Sequence, residues 1–196
     1  MTNENHKTDN AAAANAGADT DADATTMSRP QRCFWGKTVD DRFAAWLEEP
    51  EPDEQHARSD FTSPLLRHVK LKDYTGGPLP TATFEYTVQR AHCNPMTLHG
   101  GCTASLFDVL TGMTLLPVQR PGFWELLGVS RNLSITYLRP AFAGDVLTVH
   151  CEVVSIGRRM AHIKGTIRNE AGDIVSMASH DKADIDKSMI EPRSKL

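Results

Sequence analysis

Apolar and polar residues alternate along most of the second half of the chain, the mark of strands with one buried face. In TATFEYTVQR, Ala82, Phe84, Tyr86 and Val88 take every second place. Val129, Leu133, Ile135 and Tyr137 alternate with Ser130, Asn132, Ser134 and Thr136. Leu147, Val149, Cys151 and Val153 alternate with Thr148, His150 and Glu152. Ala161, Ile163 and Ile167 alternate with His162, Lys164, Thr166 and Arg168, and a last strand runs from about Ile174 to Ala183. Gly144-Asp145, Gly157 and Ala171-Gly172-Asp173 supply the turns between them. Between the first strand and the rest lies a long apolar segment, Gly100 to Leu116, stopped by Pro117 and read as a helix. The order is strand, long helix, then four strands in meander. It predicts an α+β architecture, an antiparallel sheet of five to six strands wrapped round one helix.

The first third is helical in pattern. Val39, Phe43, Trp46 and Leu47 fall on one helix face, and Thr38 with Asp41 can cap it. The segment EEPEPDEQ (48–55) reads as an exposed linker. Ser63-Pro64 opens a short second helix through Val69, and Gly76-Gly77-Pro78 is a turn. The organisation expected is a disordered tail (1–28), an N-terminal helical extension (29–78), the α+β domain (79–186) and a C-terminal tail (187–196).

Charge changes this picture only at the N-terminus. Residues 1–28 hold five acids (Glu4, Asp9, Asp19, Asp21, Asp23) and one base (Lys7), so they carry the whole net charge of -4. They have almost nothing to bury. The remaining body is formally neutral, which gives no support for nucleic-acid binding. No run of about 18 apolar residues is evident, so no membrane span is expected. The four cysteines (Cys33, Cys93, Cys102, Cys151) have no paired spacing. With no secretory signal or transit peptide recognisable, they read as free thiols in the cytoplasm.

Candidate chemistry collects on the central helix. It opens with His99-Gly100-Gly101 and carries one acid, Asp108, among Ala104, Leu106, Phe107, Val109, Leu110 and Met113. An acid in such company either lies on a narrow exposed stripe, is satisfied by a nearby donor, or works. Two glycines where free N–H groups point outward suit an oxyanion site, or equally a tight entry turn. Asp108 stands eight residues beyond Gly100, roughly 12 Å along the axis at 1.5 Å per residue. The two features therefore serve one site only if the acid comes from another copy of the helix, as in a symmetric dimer.

With Asn94, His99-Gly100-Gly101, Asp108 and GVSRNLSITYLRPAFAGD (128–145), the sequence resembles the hotdog-fold acyl-CoA thioesterases. The branch is that of the phenylacetate-pathway thioesterase and the thioesterase-superfamily members. The resemblance spans about residues 80–185 and implies the hotdog fold, working as a dimer or dimer of dimers with shared sites. It implies that a backbone N–H of Gly100 or Gly101 holds the thioester oxygen, with Asn94 polarising the carbonyl. It further implies Asp108 of the facing subunit as general base or nucleophile, Ser130 orienting the water, and His99 beside the carbonyl. The branch usually reads Asn-x-x-Gly-x-x-His-Gly-Gly; here one residue and the middle glycine are missing, which makes His92 and Cys93 candidates for the place of Asn94.

A thioester is already activated, so one carboxylate and an oxyanion site suffice for hydrolysis. The substrate expected is an acyl-CoA or an acyl-carrier-protein thioester, with no cofactor and no metal. Arg158 and Arg159 are the best candidates for the CoA phosphates, with Lys164 and Lys182 secondary. Leu106, Phe107, Leu110 and Met113 read as core before acyl tunnel. Phe123-Trp124 is a candidate for closing the acyl end or covering a dimer edge. Three rivals stand: a hotdog dehydratase or hydratase, a non-hydrolytic acyl-thioester binding scaffold, and a zinc module built on His92, Cys93, His99 and Cys102, whose spacing matches no common finger.

Overall fold

The computed structural model describes residues 27–48 and 61–185 of the 196-residue chain. The readings of a disordered tail before residue 27, a linker over 49–55 and a C-terminal tail fall outside those residues.

Three short helices come first: α1 (Arg29–Trp35), α2 (Val39–Leu47) and α3 (Ser63–Leu66). The cap expected on α2 is present, with the Asp41 N–H donating to Thr38 Oγ1 at 3.0 Å and the Thr38 N–H to Asp41 Oδ2 at 3.0 Å. Phe43 of α2 is buried, its ring centroid 5.2 Å from Tyr74 and 6.1 Å from Phe84. The first strand, β1 (Val69–Tyr74), was not legible as one: the helix expected to run to Val69 stops at Leu66, and β1 pairs with β2 (Thr81–Thr87). So the N-terminal extension is not wholly helical; its last part is an edge of the sheet.

The central helix, α4 (Gly100–Met113), is followed by β3 (Val129–Tyr137), β4 (Val146–Ile156), β5 (Met160–Arg168) and β6 (Ile174–Ala183). The six strands form one antiparallel sheet in the order β1-β2-β4-β5-β6-β3. This corrects the meander in one respect. β4, β5 and β6 are consecutive neighbours, but β3 crosses over to pair with β6, and β2 takes the place beside β4. The result leaves β1 and β3 as the two edges.

The inward residues of the sheet, among them Phe84, Val149, Ile163 and Ile167, are fully buried, as are Leu106, Phe107, Leu110 and Met113 of α4. Those four helix residues are core. Gly165 lets the helix sit down: a Cβ there would lie 2.6 Å from the Phe107 ring. By length and composition alone the stretch Gly100–Val118 is apolar enough to cross a membrane. Here that apolar surface is spent on the sheet. Trp124 is also core, its Nε1–H donating to the Gly157 carbonyl at 2.9 Å, so it closes no acyl end.

Candidate active site

One stripe of α4 is left uncovered by the sheet: Gly101, Ala104, Ser105 and Asp108, at helical spacing. Asp108 is thus the acid on an exposed stripe, its side chain 47% exposed, and it is also satisfied from below. Ser130 Oγ donates to Asp108 Oδ1 at 2.5 Å. Simple alternation would have turned Ser130 away from the helix, on the face opposite Leu133. A bulge at Arg131 prevents this: Ser130 pairs with Lys182 while Asn132 pairs with Asp181, so Arg131 is the extra residue. Ser130 therefore shares the inner face with Lys182, His180 and Leu133.

Under Asp108 lies a buried polar group that sequence reasoning missed. His180 is 0% exposed, with Nε2 3.6 Å from Asp108 Oδ1 and Nδ1 2.6 Å from Thr111 Oγ1. The Thr111 hydroxyl lies 2.6 Å from both the Phe107 carbonyl and His180 Nδ1, while His180 Nε2 makes no hydrogen bond among the described residues. Burial, and then the Lys182 ammonium, push the His180 pKa down to about 4. It is neutral at pH 7, so its 3.6 Å approach to Asp108 is neither an ion pair nor a hydrogen bond. Lys182 is buried beside Gly112, where a Cβ would be 3.6 Å from its Nζ, and this burial lowers its pKa. It is in no position to meet a CoA phosphate. The signal was there in principle: Ala178, His180 and Lys182 alternate on β6, but two basic residues do not announce a buried face.

At the other end of the stripe, His99 is the N-cap of α4. Its Nδ1 accepts from the Gly101 N–H at 2.9 Å. Of the two glycines, Gly101 is thus already engaged, while the Gly100 N–H has no partner among the described residues. The Gly100 carbonyl is held by Tyr137 Oη, which donates to it at 2.9 Å. Asn94 is tied down through its oxygen, which leaves its amide N–H groups for the role the resemblance implies. Its Oδ1 accepts from the N–H groups of Met96 (3.0 Å) and Thr97 (2.8 Å), which ties the loop that the missing residue shortens. His92 and Cys93, the alternatives to Asn94, do line the cavity at the helix start, beside His99 and Gly101.

His92 and Cys102 face Tyr86: Nδ1 lies 2.7 Å and Sγ 3.8 Å from its hydroxyl. Among the described residues no three His, Cys, Asp or Glu side chains are placed to hold a metal ion. Arg158 and Arg159 are exposed in the β4–β5 turn, at the Ser130 end of the sheet. Lys164 points from the outer face of β5, away from α4, so the structure does not bring it to Asp108.

Comparison with known proteins fits this arrangement. The model of the thioesterase superfamily matches residues 96–176. Human acyl-coenzyme A thioesterase 13 is 34% identical over 100 residues, half of this chain and 69% of the relative. The chain belongs to the thioesterase superfamily. Among solved structures, zebra fish thioesterase superfamily member 2 superposes with a TM-score of 0.57 at 28% identity, over 66% of this chain and 91% of that one. A protein of the phenylacetic acid degradation operon of E. coli shares the fold, with a TM-score of 0.52 at 24% identity over 59% and 82% of the two chains. This superfamily member thus has the hotdog fold, one central helix against a six-stranded antiparallel sheet.

Proposed function

We propose that this thioesterase hydrolyses acyl-CoA thioesters to the free acid and the thiol, with Asp108 as general base. The observation that carries the reading is the pairing of Asp108 with Ser130 on the uncovered stripe of a helix whose Gly100 N–H has no partner among the described residues. The Asp108 carboxylate takes a proton from water as the oxygen attacks the carbonyl carbon. The oxyanion is received by the Gly100 N–H and the helix dipole, since the Gly101 N–H is occupied by His99. Collapse of the tetrahedral intermediate expels the thiolate, which takes the proton from Asp108. Ser130 fixes the carboxylate by donating to one oxygen, leaving the other for water. Asn94 retains only its amide N–H groups for the substrate.

The same helix cannot supply both groups to one carbonyl, since they stand roughly 12 Å apart along its axis. The working unit is therefore a homodimer in which Asp108 of one copy faces Gly100 of the other. The β3 edge supports this: its outer side is unpaired, and Val129 (45%), Tyr137 (54%) and the neighbouring Leu138 and Phe142 are exposed there. Arg158 and Arg159 are the cations offered to the CoA phosphates. A cytoplasmic location is consistent with four cysteines that are all free.

The test is thiol release from a panel of acyl-CoAs by wild type and Asp108→Asn. The expected result is turnover by wild type and a loss of at least about 10²-fold in kcat for the variant, with fold and oligomeric state retained. Equal activity of the two proteins would remove Asp108 from the chemistry.

A further inference from the structure

The cavity beside the start of α4, about 460 Å³ in volume, carries two of the four cysteines on its wall, Cys93 and Cys102. The other two belong to the core: Cys33 is 6% exposed, and the fully buried Cys151 has its thiol pKa pushed up to about 12 by that burial. His99 and Gly101 stand on the same wall, so Cys93 and Cys102 adjoin the place where the thioester carbonyl is held. The two thiols differ in where a proton can go. Cys93 Sγ donates to the Gln89 carbonyl at 3.4 Å, and a carbonyl is no base. Cys102 Sγ lies 3.8 Å from the Tyr86 hydroxyl, which in turn lies 2.7 Å from His92 Nδ1.

Three elements build this chain of groups. Cys102 comes from the first turn of α4 and Tyr86 from β2. His92 ends the short turn between them, held in place by the His99 N–H, which donates to the His92 carbonyl at 3.0 Å. Tyr86 is fully buried, so its ring fixes the hydroxyl between the thiol and the imidazole. The titratable groups that face His92 are His68 and Arg67 before β1, Tyr86 of β2 and, through Tyr86, Cys102 of α4. Burial, then His68 and Arg67, lower the His92 pKa, so the ring is neutral at pH 7 and can accept a proton. Burial holds the Cys102 thiol above its ordinary value, so free thiolate is scarce and a path for the proton decides its reactivity.

We propose that Cys102 is an acyl acceptor: a thioester held at the start of α4 transfers its acyl group to Cys102 in competition with hydrolysis, with Tyr86 passing the thiol proton to His92. The inference rests on the thioesterase reading for the place of the carbonyl. With the His92 ring proton on Nε2, Tyr86 donates to Nδ1 and the Cys102 thiol donates to Tyr86 Oη. Sγ attacks the carbonyl carbon as the proton moves along this chain. The C–S bond to CoA then breaks, and the leaving thiolate takes the proton back from His92. One thioester is exchanged for another, so the step consumes no oxidant and no cofactor. The acyl group on Cys102 stands in the cavity beside Gly101 and blocks the next substrate, which makes the acylation self-limiting.

The experiment incubates the full-length Asp108→Asn protein, in which hydrolysis is slowed, with acetyl-CoA and follows the intact-protein mass. One acetyl group per chain is expected, mapping to Cys102 and removed by neutral hydroxylamine, which cleaves a thioester and spares an amide. Adding Cys102→Ser should abolish this adduct, and adding Cys93→Ser should leave it. The rate of acylation should be level from pH 7 to pH 9, where His92 stays neutral. Adding Tyr86→Phe should lower the rate at least about tenfold at pH 7 and make it climb about tenfold per pH unit, as for a thiol that must ionise first. No adduct, an adduct on another residue, or the same pH slope with and without the Tyr86 hydroxyl would overturn the proposal. Thiol release by wild type, measured in parallel, separates the two readings. Turnover by wild type without an adduct on Cys102 in the variant removes this inference alone. An adduct on Cys102 without turnover removes hydrolysis and keeps the acceptor, and neither removes both.

Discussion

Ser130 reaches Asp108 because Arg131 is out of register. The Ser130 hydroxyl donates to Asp108 Oδ1 at 2.5 Å across the gap between the edge strand and the helix. On a regular strand Ser130 and Leu133 would lie on opposite faces; with Arg131 unpaired they face the same way, toward α4. An edge strand tolerates such a bulge because only one side of its ladder is committed. Here the bulge aims one hydroxyl at one carboxylate oxygen.

Removing that hydroxyl should cost rate and not binding. A hydrogen bond to a charged group contributes about 1.5–3 kcal/mol, so Ser130→Ala should lower kcat by about 10- to 100-fold, less than Asp108→Asn. KM should stay within about threefold, since the hydroxyl touches no part of the substrate in this reading. Steady-state kinetics on one good acyl-CoA decides it. A large rise in KM with kcat unchanged would show Ser130 to be a binding residue.

The buried imidazole gives the fold a signature in pH. His180 has a folded pKa of about 4 against 6.5 unfolded. Below pH 6.5 the unfolded chain therefore takes up a proton that the folded chain refuses, and stability falls with pH. The contribution is intact above pH 6.5 and is lost between there and pH 4, roughly 3 kcal/mol in all. Denaturant unfolding at half-unit steps should show this slope, and His180→Asn should flatten it. A wild-type profile that stays level from pH 6.5 to 4 would mean that the ring is protonated in place.

Most of the architecture was legible because the strands alternate and the helix does not. The positions of Ala82 to Val88, the α4 segment and the β4 to β6 repeat carry their periods openly, and the fold follows from burying them together. Two things were hidden. β1 reads VKLKDY, with only two strong apolar residues, and an edge strand needs few. The place of β3 in the sheet is a matter of crossover, which no local pattern encodes. At the site, the HGG start and Asp108 were legible by their oddness on an apolar helix. His180, Lys182 and Tyr137 were not, since a polar residue on a strand gives no sign of which face it takes when a bulge lies nearby.

Gly165 is where helix and sheet come closest, and it predicts a paired substitution. A methyl group there would meet the fully buried Phe107 ring at 2.6 Å. Gly165→Ala should destabilise by about 1–3 kcal/mol through overpacking. Adding Phe107→Leu should recover at least half of this, although Phe107→Leu alone is destabilising. The double-mutant cycle would show a coupling near zero if the helix simply shifts outward to make room.

The shared site makes a prediction about mixtures. Gly100 is the first residue of α4, and His99 before it is extended (φ -67°, ψ 132°), a conformation that a following proline permits. Proline at a first helical position keeps the helix and removes only the N–H. Gly100→Pro should therefore fold normally and lose about 10²–10³-fold in kcat, as expected for an oxyanion donor. Neither Gly100→Pro nor Asp108→Asn is active alone. In a heterodimer of the two, if each site takes Gly100 from one chain and Asp108 from the other, one site carries both lesions and its twin carries none. Refolding an equal mixture gives about half heterodimers by random pairing, each with one intact site, so about a quarter of wild-type activity should return. If each chain held a complete site of its own, every site in the mixture would carry one lesion, and no activity would return.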